Sequence, residues 1–170
     1  MIKKYLSLFV FLFCIATLSF AQNKKTTSNI FLSFLDAREN EFKDIKGEFV
    51  RTDSAHSTNY FACKETFGAK VEAIVYDNIH HTNRFYSYFD YSDQDDLLKS
   101  ANVLTDLLNI VNKLVKEGFG TYKGKDYKTD SGQLVTELTD REGKLVMQII
   151  TATENKSLSI IFYSSSYGRP

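Results

Sequence analysis

The chain has no tryptophan, one proline, two cysteines and three histidines in 170 residues. Cysteine is the most consequential scarcity. Cys14 falls inside the apolar run at the N-terminus, so removal of that run leaves Cys63 alone. One cysteine cannot form an internal disulfide, and an exported domain built this way must be held by its core. Charge of one sign is also missing, since 21 basic residues face 21 acidic ones. That balance argues against a nucleic-acid partner, which favours a basic excess. What is plentiful is aromatic surface, with 14 Phe and 10 Tyr to bury or display.

The N-terminus reads as a secretory signal peptide over residues 1–21. Lys3 and Lys4 precede an apolar run from Leu6 to Phe20, and Ser19 and Ala21 are small residues at the positions a signal peptidase reads. Cleavage after Ala21 leaves Gln22 to Pro170 with no membrane span. It also leaves 19 basic and 21 acidic residues, a net charge of −2. Residues 22–28 are polar and read as a flexible tail.

Periodicity divides the remainder. Ile30, Phe31, Phe34, Leu35, Ala37 and Phe42 follow helical spacing from Asn29 to about Asp44, with Ser28 as N-cap. Strand-like alternation follows near 47–52, 58–66, 70–77 and 83–90. A second helix opens at Ser92, with Asp93, Asp95 and Asp96 suited to its N-terminal dipole. Its stripe reads Leu97, Ala101, Leu104, Leu108, Val111 and Val115, widened by Leu98, Leu107 and Leu114, and Gly118 ends it. Strand patterns return at 121–128, 132–139, 144–151 and 157–164. Ser164 to Pro170 reads as an exposed end.

The order is therefore one helix and four strands, twice. "KGEFVRTDS" at Lys46 to Ser54 is echoed by "KGKDYKTDS" at Lys123 to Ser131, 77 positions later. At an offset of 75, Gly68 meets Gly143, Val71 meets Val146, Ile74 meets Ile149 and Tyr88 meets Tyr163. The change of offset places two additional residues between Ser54 and Gly68. The expected fold is α+β: a tandem repeat of a helix followed by four antiparallel strands, residues 29–91 and 92–170. Both helices would pack on one face of a shared sheet. In layout alone this resembles the secreted β-lactamase inhibitory proteins and the saddle of TATA-binding-protein-like folds. The disulfides of the inhibitors cannot form with one mature cysteine.

Three side-chain sets could carry function. His56 lies in the first hairpin loop and His80 and His81 in the third, near Asp53 and Asp77, which makes a zinc or copper site conceivable. Asp53, Ser54 and His56 invite a hydrolase reading, although triads converge from separate segments. "GFGTYKG", Gly118 to Gly124, is no phosphate loop, because it follows a helix and opens a strand. The third set is aromatic. Tyr76, Tyr86, Tyr88 and Tyr163 sit on strands whose other face the helices would cover, and Tyr is suited to recognition.

The leading expectation is a secreted or periplasmic, non-enzymatic protein with no cofactor. It would bind a protein or small-molecule ligand through Tyr76, Tyr86, Tyr88 and Tyr163. A metal-binding protein or small hydrolase using His56, His80 and His81 is the second reading. The third is a structural envelope component that self-associates through the tyrosine face.

Overall fold

The computed structural model describes residues 25–92, 94–118 and 120–167. The signal-peptide reading, and the roles given to Asp93 and to residues 168–170, lie outside them. The elements run α1 (Thr27–Ala37), a 3-10 turn (Arg38–Asn40), β1 (Lys46–Asp53), β2 (Thr58–Cys63), β3 (Val71–Asp77) and β4 (Thr82–Asp90). They continue with α2 (Gln94–Glu117), β5 (Tyr122–Lys128), β6 (Leu134–Asp140), β7 (Leu145–Ala152) and β8 (Ser157–Tyr163). All eight strands form one antiparallel sheet in the order β1-β2-β3-β4-β8-β7-β6-β5. Among the described residues no helix is long and apolar enough to cross a membrane.

α1 begins two residues earlier than the spacing suggests, so Thr27 and Ser28 belong to the helix and not to a flexible tail. Thr26, not Ser28, is the N-cap, and its hydroxyl accepts from Asn29 N. Ile30, Phe31, Phe34 and Ala37 repeat along one face and are buried. The helix ends in a sharp reversal. Glu41 and Phe42 both adopt left-handed φ, 61° and 59°. A phenylalanine there is strained, but its ring is fully buried and its N–H donates to Ala37 O at 2.7 Å. Burying that ring offsets the strain with about 1.5–3 kcal/mol.

α2 presents a different face from the one its leucines suggest. The buried positions are Asp96, Ser100, Val103, Leu107 and Val111, whereas Leu97 and Leu98 are exposed. Apolar residues cover a wide arc of this helix, so local periodicity does not decide which part meets the sheet. Ser100 tolerates burial because its hydroxyl donates to Leu97 O at 2.8 Å.

One buried cluster joins both helices to the sheet. It holds Phe31 and Phe34 of α1 and Val103, Leu107 and Val111 of α2. With them are Ile74, Phe85, Phe89, Leu138, Met147, Ile149, Leu158, Ile160 and Phe162 of the strands. At its centre Phe34 lies 4.1 Å from Phe85 and 5.0 Å from Phe162, centroid to centroid. The connection from β2 to β3 adds Phe67, 5.6 Å from Phe34. Glu72 fastens this connection, since its carboxylate accepts from Phe67 N, Gly68 N and the Ser87 hydroxyl.

Several strand pairings recur at a spacing of 75 residues. Ile74 opposes Phe85 as Ile149 opposes Ile160, and Asn59 opposes Tyr76 as Leu134 opposes Thr151, each 75 residues on. The left-handed turn positions match at the same offset: Ser57 with Gly132, Gly68 with Gly143, His81 with Lys156. The shared "TDS" does different work in the two hairpins. Asp53 closes β1 and accepts from the N–H of Ala55 and His56, whereas in the second half Thr129 accepts from Gln133 N.

Candidate recognition face

Strand residues that alternate with the core form the opposite face of the sheet. Directly opposed residues share a face, so the ladders define its rows. One row runs Arg51, Tyr60, Val75, Arg84 and Tyr163 across β1, β2, β3, β4 and β8. The next runs Ala73, Tyr86, Ile161, Gln148, Glu137 and Lys125. A third runs Val71, Tyr88, Ser159, Ile150, Val135 and Tyr127. Tyr60, Tyr86, Tyr88 and Tyr127 are partly exposed.

Tyr86 and Tyr88 thus stand together on this face, two residues apart on β4. Tyr163 is on it as well but is only 5 % exposed. Tyr167 covers it, with ring centroids 4.4 Å apart, and the Tyr163 hydroxyl donates to Gln148 Oε1 at 2.5 Å. The C-terminal segment is therefore packed against the sheet at least as far as Tyr167, with Ser164 fully buried. Burial foremost holds the Tyr163 hydroxyl well above the usual phenol range. Tyr76 does not join the other three. It opposes Asn83, whose strand neighbours on that side are Phe85 and Ser87, so Tyr76 lies on the core side at the end of the sheet. Its hydroxyl meets His81 Nδ1 at 2.9 Å.

The β5 half of the face carries a hydrogen-bonded chain that strand patterns do not reveal. Tyr127 and Gln148 both donate to Glu137 Oε1, at 2.9 and 2.6 Å, and Tyr163 donates to Gln148. The Glu137 carboxylate is the main reason the Tyr127 hydroxyl titrates above its ordinary value. Tyr60 and Arg84 were also open to discovery from the sequence, since each alternates with core residues on its own strand.

The histidines are divided among separate partners. His56 Nδ1 lies 2.9 Å from Asp53 Oδ2 and His80 Nδ1 lies 2.8 Å from Asp77 Oδ2, each within its own turn. His81 is committed to Tyr76. The two turns are tied by Asn78, whose N–H and side-chain amide both donate to Ser57 O. No three His, Cys, Asp or Glu residues group to hold a metal ion among the described residues. His56, His80 and His81 therefore do not form the common site that their loops suggested. The Asp77 carboxyl is lowered to about 2, first by the His80 ring and then by the N–H groups of His80 and Ile79. Cys63 behaves as a half-buried hydrophobe, with its thiol pushed up to about 11 by burial.

Searches of protein families, of curated proteins and of solved structures find no match to this chain. The layout resemblance noted above consequently carries no functional argument.

Proposed function

We propose that this chain is a secreted or periplasmic, non-enzymatic binding protein that recognises a partner through the sheet face opposite its core. In this reading the fold is an internal duplication of an α-β4 unit. Both helices cover the core side and leave the other side for a ligand. The congruent ladders and matched left-handed turns support the duplication. The observation that carries the function is the placement of Tyr86 and Tyr88. They lie side by side and partly exposed on the central strand β4, with Tyr60 two strands away. Each ring offers contact area and a hydroxyl at low entropic cost.

The experiment is a quantitative capture of partners from native extract by the wild-type protein and by a Tyr86→Ala, Tyr88→Ala double variant. Loss of capture with cooperative unfolding retained is the expected result. Unchanged capture sinks the reading. A concentration-dependent mass abolished by the double variant would instead favour the self-associating envelope component.

A further inference from the structure

Arg84 stands in the middle of the recognition face with no carboxylate beside it. It is partly buried between Val75 and Tyr163, and among the described residues its guanidinium makes no hydrogen bond or ion pair. Arg51, in the same row, lies over the Tyr60 ring at 4.6 Å and also has no ion pair among them. The contrast with Arg38 is informative. Arg38 is 5 % exposed and is used by the fold: it donates to Tyr163 O and Glu39 Oε1 and lies 3.8 Å from Asp140.

The rest of the face does not supply the missing anion. Glu137 already accepts from Tyr127 and Gln148. Asp53, Asp77 and Asp90 end their strands and are engaged by His56, by His80 and by Lys70 with Ser92. Lys125 adds a further cation on this face, 5.1 Å from the Tyr127 ring.

We propose that the face binds an extended acidic segment of a protein partner, with carboxylates on Arg84 and Arg51. This rests on the recognition reading above. Three strand separations put the two arginine positions about 14 Å apart, and an extended peptide advances about 3.4 Å per residue. Two carboxylates four residues apart match that span, with the midway residue on the same side. The planar guanidinium suits a carboxylate through paired hydrogen bonds.

The test uses the capped peptide Thr-Glu-Thr-Val-Thr-Glu-Thr, its glutamine counterpart, and alginate as an acidic polysaccharide. Binding is followed by amide chemical shifts of the purified protein. The expected result is shifts centred on Arg51, Tyr60, Val75 and Arg84. Affinity should fall about tenfold for the glutamine peptide or for Arg84→Gln. Equal binding of the two peptides, shifts elsewhere, or a response to alginate alone overturns the proposal. The two readings fail separately. Partner capture that needs Tyr86 and Tyr88 but survives Arg84→Gln with Arg51→Gln removes the acidic ligand and leaves the face intact. Capture indifferent to the tyrosines removes both.

Discussion

Tyr86 lies directly across the β4–β8 ladder from Ile161, and the two positions are 75 residues apart. The β3–β4 pairing of Ile74 with Phe85 recurs at that spacing as Ile149 with Ile160. Around Tyr86 and Ile161, Phe85 opposes Phe162 and Ser87 opposes Ile160. The β4–β8 ladder is the centre of the sheet, where β1 to β4 meet β5 to β8. Its core side is filled by phenylalanine, and its other side displays Tyr86 and Tyr88.

The connection between β2 and β3 should act as part of the core. Phe67 is 7 % exposed and its ring meets Phe34, Phe85 and Phe162. Phe67→Ala should cost about 3–5 kcal/mol, from lost burial and the cavity left behind. Denaturant unfolding measures this. A loss below 1 kcal/mol would mean that the connection only rests on the surface.

Arg38 should be intolerant of removal. Its side chain serves the backbone carbonyls of Tyr163 and Leu145 at the far end of the sheet, as well as Glu39 and Asp140. Arg38→Ala leaves those acceptors unmatched and should destabilise by about 3–5 kcal/mol. Arg84→Gln, on the open face, should cost far less. Similar losses for the two would contradict the division into a structural and a free arginine.

These elements differ in how legible they were. Strand positions emerged from alternation because period two survives in any register, and every strand lies within a few residues of its expected span. The side of a residue near a strand end did not emerge. Tyr76 is one position out of phase with Tyr86, and only the ladder to Asn83 reveals it. Tyr163 was legible as a face residue but not as a covered one, because Tyr167 folds back from a segment with no pattern of its own. The exposed leucines of α2 misled for a related reason: which arc of a helix is buried depends on how it crosses the sheet, a long-range property.

Acid should remove what Asp77 contributes to the third hairpin. Its carboxylate accepts from the N–H groups of Ile79 and His80 and meets the His80 ring. A folded-state value lowered to about 2 from an ordinary value near 4 is a stabilising contribution at neutral pH. It is fully present above about pH 4 and fades as pH falls toward 2. The stability gap between wild type and Asp77→Asn should close over that window. A gap constant from pH 6 to pH 2 would contradict the assignment.

Export makes a prediction about the N-terminus. If residues 1–21 are removed as proposed, protein recovered from the periplasm or medium begins at Gln22. Intact-mass measurement checks this, and an exported chain that keeps Met1 would contradict it.

The central claim is that the face bearing Tyr86 and Tyr88 meets the partner. Hydroxyl-radical footprinting of the captured complex against the free protein tests it most directly. The account predicts that Tyr60, Tyr86 and Tyr88 lose reactivity on binding while Leu97 and Leu98 of α2 and the His56 and His80 turns do not. Unchanged tyrosine reactivity with protection at α2 or at those turns would contradict it.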